Sequence, residues 1–475
     1  MTLPGDWEMV VGLEVHTELK TTTKMFCGCA NHFGSEPNTN VCPVCLGLPG
    51  SLPVLNERAV ELAMAIGMAL HCTIAPSTFH RKNYFYPDMP KDFQISQYDL
   101  PINKGGYLDL PDGSRVTIER AHLEEDTGKS THLGGSGRIH GADRSLVDYN
   151  RSGVPLVEIV SGPDIRSASQ ARAYASELRG ILIATGASDG RMEEGSMRID
   201  ANVSVRKSGE PFGTRCEIKN LNSLRSLVRS IEFEARRQIE LIEEGGVVRQ
   251  ETRHWDENLG ETSTMRTKEE AEDYRYFREP DLVDLAPDDA WQQRVRDQLP
   301  PMPAERRATL SSRLIASNEA QLDAVEVVID LHLEPYVHAA IDAGVEPALA
   351  LARAANELAA GIENLDRMTT NGYCSTLLME QSGELSATQA KTVLSELLAH
   401  GGDPKEIAAT LGFERLSSES LAGTVAALIE QFPDEWMRYR EGDEKLAQFF
   451  IGQVMKATKG QANGKSVIEQ LQARR

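Results

Sequence analysis

No stretch of this 475-residue sequence approaches the roughly 20 consecutive apolar residues that a bilayer-spanning helix needs, so no membrane span is expected. Met1–Asp6 lacks a basic segment followed by an apolar core and a small-residue cleavage site, so secretion is not indicated and the cytoplasm is the expected location. Basic charge is short as well. Against 71 Asp and Glu stand 50 Lys and Arg, a formal net charge of -21. That excludes a generally basic nucleic-acid binder, because phosphate affinity depends on cations that displace counterions. Any RNA contact must be local. Two segments could supply it: Leu446–Arg475, with Lys456, Lys459, Lys465, Arg474 and Arg475 against the single acid Glu469, and the stretch bearing Arg225, Arg229, Arg236 and Arg237. Both also fit ordinary solvated faces.

Several signatures are missing. The nearest approach to a phosphate-cradling loop is Asp126-Thr-Gly-Lys-Ser130, but its first glycine would fall at Leu123, so a P-loop is rejected. Gly186-Ala-Ser-Asp-Gly190 matches the nucleophile-elbow spacing, yet a helical stretch precedes it, and a helix C-cap at Gly186 explains it better. The Gly-rich run Leu133–Gly141 lacks dinucleotide-binding spacing and is expected to be a mobile loop. Cysteine is scarce, with seven in all, but four lie between Cys27 and Cys45. Two close pairs, Cys27-Gly-Cys29 and Cys42-Pro-Val-Cys45, offer the four thiolates of a closed tetrahedral zinc site, whose role would be folding rather than chemistry. The other reading, four reduced buried thiols, suffers from the polar loop around them (Asn31, His32, Asn38, Asn40).

What is present reads as an α+β protein of about three domains, given roughly 100 to 200 residues per domain. Up to about Leu285 short β-like runs alternate with loops, and beyond Pro300 the text turns Ala- and Leu-rich with helical spacing. Asp281–Pro303, acidic and proline-bearing, reads as a linker. Trp7–Lys20 is the clearest strand: Met9, Val11, Leu13, Val15 and Thr17 share one face, and Glu14, His16 and Glu18 the other. Ser196–Arg206 and Thr214–Leu221 repeat the pattern. Helices are expected at Glu57–Leu70, Ala168–Thr185 and Leu224–Glu244, capped by Asn56, Ser167 and Ser223. The C-terminal helices are expected to break at Gly344, Asn371-Gly372 and Gly401-Gly402, with a short helix in Asp403–Phe413. Three strands with charged faces suggest the floor of a charged site. The acids Glu14, Glu18, Glu124, Glu125, Asp126, Glu158, Asp200 and Glu217, with His16, suit hard divalent ions that share coordination with water and phosphates. For any single one of them a surface salt bridge is the competing reading.

Seven segments resemble a known family in order along the chain: Val11–His16, Arg81–Asp88, His122–Ser130, Asp148–Glu158, Glu217–Asn222, Asp273–Phe277 and Gly452–Gly460. The chain is similar to the B subunit of the bacterial and organellar glutamyl/aspartyl-tRNA amidotransferase. The resemblance implies a mixed-sheet cradle at 1–294, a helical linker domain at 295–404 and a tRNA-gripping all-α tail at 405–475. It implies a heterotrimer with the A subunit, an amidase, and the small C subunit. It also implies ATP-dependent phosphorylation of the side-chain carboxylate of mischarged Glu-tRNA(Gln) or Asp-tRNA(Asn), with ammonia from the amidase then displacing phosphate. By the same resemblance Mg²⁺ or Mn²⁺ is held by Glu14, His16, Glu125 and Glu217. The choice of Glu125 over Glu124 follows the family pattern, since strand parity does not settle it. Lys82, Lys129, Arg151 and Lys219 are expected as phosphate or substrate clamps. The archaeal-type relative, which carries an extra domain after the cradle, has no room between Phe277 and Ala304. A non-enzymatic tRNA-presenting scaffold is the other alternative.

Overall fold

The computed structural model describes residues 3–134, 142–267, 274–314, 319–413, 418–458, 462 and 464–475. Of the loop expected at Leu133–Gly141, residues 135–141 lie outside the described residues, as do Asp273, Lys459 and Gly460, while Leu133 ends a strand. By internal contacts the chain divides into two compact units, Met1–Pro303 and Ala304–Arg475.

In the first unit, thirteen strands among the described residues join one sheet. Its spine is β1 (Trp7–Glu18), a strand long enough to be paired along both edges. Helix α1 (Glu57–Ala69) follows, then the short strands β2 (Thr73–Ile74), β3 (His80–Asn83), β4 (Phe93–Ser96), β5 (Asn103–Lys104) and β6 (Tyr107–Asp109). The long β7 (Arg115–Glu125) is followed by a separate hairpin of β8 (Lys129–Leu133) and β9 (Arg144–Asp148), and then by β10 (Pro155–Ser161) and α2 (Ala168–Ala184). The unit is completed by β11 (Met197–Lys207), β12 (Cys216–Leu221), α3 (Leu224–Glu243), β13 (Glu251–Asp256), β14 (Glu261–Thr267), β15 (Phe277–Arg278) and α4 (Asp289–Arg296). The main path runs β14-β13-β12-β11-β1-β10-β7-β4-β3-β15, antiparallel except for the parallel β12–β13 pair. The expected α+β class and mixed sheet are therefore observed.

Period-two alternation decides which face is which. Met9, Val11, Leu13 and Val15 on β1, with Met197, Ile199, Ala201, Val203 and Val205 on β11, are buried in one core with the apolar sides of α1, α2 and α3. The opposite, polar face carries the ionisable side chains. The three helices begin where their caps direct: the side chains of Asn56, Ser167 and Ser223 accept from the backbone N–H of Ala59, Gln170 and Ser226. Gly186 takes a left-handed φ of 69° just after α2, and Ala187 N–H returns to the Leu182 carbonyl at 3.0 Å, the geometry of a helix terminus rather than a nucleophile elbow.

The stretch read as a linker is instead packed into this unit. Leu285 exchanges backbone hydrogen bonds with Ser77, and Leu285 and Val295 are buried in the main core. Its amphipathic turn outweighs its acidic, proline-bearing composition.

The second unit is helical throughout its described residues, with two cores. Leu310 to Ala408 encloses one and Leu421 to Leu471 the other. Gly344 and Gly401 follow helix ends with positive φ. Asn371-Gly372, expected as a break, lies in the first turn of the helix Thr370–Ser382. Thr369 caps that helix by accepting from Gly372 N–H at 3.0 Å, and a Cβ on Gly372 would come 3.0 Å from the Thr369 hydroxyl. This glycine serves close packing at a helix start.

One buried ion cluster joins α3 to the β13–β14 hairpin. Glu234, with no exposed surface, accepts from Arg237, Gln238 and Thr262 at 2.6, 2.9 and 2.9 Å and lies 3.2 Å from Arg253. Burial acts against its charge, but the Arg237 hydrogen bonds and the flanking cations win and hold it below the usual carboxylate range. Removing it leaves buried guanidinium charge uncompensated, so Glu234→Ala should destabilise this unit by about 3–5 kcal/mol in denaturant unfolding. A depressed carboxyl stabilises above its unfolded pKa of about 4.3 and loses that contribution as pH falls through the folded value. The stability gap between wild type and Glu234→Gln should therefore narrow as pH drops from 7 to below 4; a constant gap would contradict the assignment.

Candidate active-site cleft

On the polar face the strand register builds rows of ionisable side chains. His122 of β7 pairs with Glu158 of β10, Glu158 with His16 of β1, and His16 with Arg198 of β11. Glu14 pairs with Asp200, and Asn202 with Glu217. Of these, Glu14, His16, His122, Glu158 and Glu217 line a cleft of about 310 Å³ with Lys82, Arg120, Glu124, Lys219 and the rings of Tyr98, Tyr274 and Tyr276.

Two clusters meet there. In the first, donor atoms of His16, Glu124 and Glu158 lie within 4.8 Å of one another. His16 Nε2 is 3.4 Å from Glu158 and 3.9 Å from Glu124. Burial opposes charge on this imidazole, yet the Glu158 contact and the charges of Glu158, Asp200 and Glu124 prevail, raising it to about 9. Burial raises Glu124 to about 7, with Glu158 adding to the effect, whereas Glu158 is held well below the usual range by His122 and His16 despite its own burial. His122 goes the other way. Burial lowers it to about 4, so it is a neutral imidazole at the cleft wall, with Nε2 3.7 Å from Glu158.

In the second cluster, Glu14, Asp200 and Glu217 converge to the same closeness. The Lys219 ammonium donates to Asp200 at 2.8 Å and to Glu217 at 2.9 Å, and those charges raise its pKa against the cost of burial. Asn202 donates to Glu14 at 2.9 Å and Thr252 to Glu217 at 3.2 Å, fixing both carboxylates.

The structure thus brings together Glu14, His16, Glu217, Lys82 and Lys219. Glu125 lies apart from them. On β7 the residues Arg120, His122 and Glu124 share the polar face, and Glu125, one step on, points through the sheet. There it accepts from Lys91 and from the Ile95 backbone N–H at 2.9 Å. Glu124 is the one of the two that lines the cleft. Lys129 and Arg151 are also elsewhere, on a second cavity of about 400 Å³. Arg151 is committed to the Thr127 and Gly128 carbonyls, both at 3.0 Å. On that cavity's wall Glu18 is raised to about 7, first by burial and then by neighbouring Asp126, which Arg198 holds ionised at 2.8 Å.

Residues not singled out in advance include His122, Arg120 and the three tyrosines. The alternation His122-Leu-Glu124 carried the signal for the first. The ring of Tyr276 stacks on Tyr98 at 4.2 Å, and Lys82 Nζ lies 4.7 Å from the Tyr274 ring centre.

The four sulfurs of Cys27, Cys29, Cys42 and Cys45 converge within 4.8 Å, with Cys42 and Cys45 3.9 Å apart, and all seven cysteines are free thiols. Zn–S bonds of 2.3 Å in a tetrahedron place sulfurs about 3.8 Å apart, so the donor set fits a structural metal. Backbone N–H groups of Asn38 and Asn40 donate to Asp148 and Asn150, tying the knot to the turn after β9.

The suggested RNA-binding cations divide. Arg229, Arg236 and Arg237 of α3 pair with Glu257, Glu232 and Glu234. In the tail, Arg474 donates to the Ala422 carbonyl and Arg475 sits over Tyr439, leaving Lys456 exposed. Lys459 and the Lys465 side chain are outside the described residues. No helix among the described residues is long and apolar enough to cross a membrane.

Comparison with known proteins bears on both units. The family described as GatB/GatE catalytic domain matches residues 9–293, and the one described as GatB domain matches residues 336–474. The B subunit of aspartyl/glutamyl-tRNA(Asn/Gln) amidotransferase from Frankia casuarinae is 50% identical over 479 residues, covering 97% of this chain and 94% of that protein. The proteins of the same name from Salinispora arenicola and Streptomyces avermitilis are each 48% identical, covering 98% of this chain and 95% of theirs. With about half of its residues identical from end to end and a matching catalytic domain around the cleft, the chain belongs to the family of aspartyl/glutamyl-tRNA(Asn/Gln) amidotransferase B subunits.

Proposed function

We propose that this chain is the kinase and tRNA-binding subunit of a tRNA-dependent amidotransferase, working in the cytoplasm with two partners, the amidase or A subunit, and the small C subunit. It would bind mischarged Glu-tRNA(Gln) or Asp-tRNA(Asn) and use ATP to phosphorylate the side-chain carboxylate. One carboxylate oxygen attacks the γ-phosphorus and ADP leaves. Ammonia then attacks the activated carbonyl carbon, inorganic phosphate departs, and the amide is formed with loss of a proton.

The observation that carries this reading is a strand-lined cleft in which ionised carboxylates, an imidazole and the cations Lys82, Arg120 and Lys219 converge. Phosphoryl transfer to a carboxylate that is already ionised needs positioning and charge neutralisation more than a strong base. His16, Glu14, Glu124 and Glu217, with Glu158 beside them, would hold the divalent cation. That ion would supply neutralisation of phosphate charge. Carboxylates with one imidazole suit Mg²⁺ or Mn²⁺. Lys82 reaches the cleft from β3, on the far side from Lys219, so the two cations can face a polyphosphate from opposite walls. Neutral His122 can donate or accept a hydrogen bond without adding charge. The four cysteines would hold structural zinc. In the same reading the helical linker expected at 295–404 begins after Pro303, where the first unit ends, and 405–475 form the tail that grips tRNA, supported by the separate core from Leu421 to Leu471.

Two outcomes test it. In the assembled enzyme, Glu124→Gln should lower tRNA-dependent ATP hydrolysis and amide formation by about 10²–10³-fold, the scale of losing one preorganised electrostatic group, with tRNA affinity kept. Unchanged turnover would sink the kinase reading. Elemental analysis should find zinc in the full chain, and Cys42→Ser should remove it and lower the temperature of the first unfolding transition, because a structural metal's binding energy is folding energy.

A further inference from the structure

Lys24 is an anomaly that the proposed chemistry does not use. Its side chain has 0% exposure, although lysines are almost never fully buried unless paired. The partner found for Nζ is the Tyr149 carbonyl at 3.1 Å. Among the described residues no carboxylate oxygen lies within 4.0 Å of it, in contrast to Lys91, whose side chain is 7% exposed and pairs with Glu125. A lone carbonyl does not offset a buried ammonium, so the compensating charge must come from elsewhere.

The surroundings point to the cysteines. The Lys24 backbone N–H donates to the Cys29 carbonyl at 3.0 Å, within the knot itself. Its aliphatic stem and Cys45 flank the same space: a Cβ placed on Gly153 would lie 3.6 Å from Lys24 Cδ and 3.5 Å from Cys45 Cβ. Four thiolates around one divalent ion leave two surplus negative charges in a partly buried site. We propose that Lys24 is the charge-compensating partner of the four-cysteine site, its buried ammonium stabilising the thiolate set against the metal. This rests on the structural-zinc reading above. It makes Lys24 a positioning residue, one that acts through the sulfurs rather than as a ligand. The competing partner is Glu125, whose Oε2 is 3.7 Å from the same point above Gly153, although its other oxygen is already held by Lys91 and Ile95.

The test compares full-length wild type with Lys24→Met, Lys24→Arg and Glu125→Gln, with zinc as the probe. Zinc affinity is read by competition with a chromophoric chelator, and Co²⁺ substitution reports the thiolate set through its charge-transfer band. Loss of an outer partner of a metal ligand costs about 10–100-fold in metal affinity, which is the loss expected for Lys24→Met. Lys24→Arg should restore tight binding, and Glu125→Gln should leave affinity as in wild type. The metal-free protein supplies the control for a merely structural role. A buried charge replaced by a well-packed apolar chain often stabilises, so metal-free Lys24→Met should unfold no earlier than metal-free wild type while holding zinc more weakly. Wild-type zinc affinity in Lys24→Met overturns the proposal, as does equal loosening by Glu125→Gln. If Lys24→Met does not fold, a Lys24→Arg protein that binds zinc as weakly as a Cys42→Ser control overturns it instead. Absence of zinc from the wild type would refute the zinc reading itself, and with it the role of Lys24.

Discussion

The double-edged pairing of β1 is the constraint on which the rest of the first unit depends. A strand bonded to β10 on one side and β11 on the other cannot slip by one residue without driving Glu14, His16 and Glu18 into the core and Met9, Val11, Leu13 and Val15 into the cleft. Burying those apolar side chains with three capped helices therefore fixes the register. The register in turn fixes the rows His122–Glu158–His16–Arg198 and Glu14–Asp200 to within the reach of a side chain. The geometry of the cleft follows from packing on the opposite side of the same backbone.

Holding so many carboxylates on one face is costly, and the way that cost is offset is informative. Burial disfavours every charged form here, but the groups part in opposite directions: His16 rises to about 9 and His122 falls to about 4, while Glu124 rises to about 7 and Glu158 stays ionised. Environment separates chemically equal neighbours into charged and neutral members, as expected where burial competes with a few specific partners. Lys219 does for Asp200 and Glu217 what His16 does for Glu158. The protein's own cations fill the space into which a divalent ion would bring its charge, so in the proposed reading metal binding there would exchange one set of compensating charges for another.

Much of this was legible in the sequence, for reasons that can be stated. Strands β1 and β11 have unbroken period-two alternation, β12 keeps it from Cys216 to Lys219, and helices α1, α2 and α3 carry Asn or Ser caps, so local patterning and tertiary structure agree. Gly186 was readable as a helix end because a helical run came before it. The failures are equally local. Asp281–Pro303 looks like a linker by composition, but its few apolar residues find the core. Asn371-Gly372 looks like a break, yet a threonine two residues earlier turns it into a helix start. Glu124 and Glu125 are adjacent acids at the end of a strand, and only the register of β7 against β10 and β4 shows which one faces the cleft.

The same register explains why Glu125 is not a spare acid. Having passed through the sheet, its carboxylate meets Lys91 and the Ile95 amide on the side where Gly153, Cys45 and Lys24 gather. Lys91 is held in turn by Gly47, just past Cys45, where a Cβ would come 2.5 Å from the Lys91 side chain. One residue step on β7 therefore separates the cleft from the cysteine knot. Glu124 serves the polar face, and Glu125 is taken up by Lys91 and the Ile95 amide on the other. A metal at those sulfurs would hold the loop that presses on Lys91 and so help to fix the strand end from which Glu124 projects. A closed four-sulfur site offers no open position for chemistry, so any influence of the knot on the cleft would run through the position of that strand end.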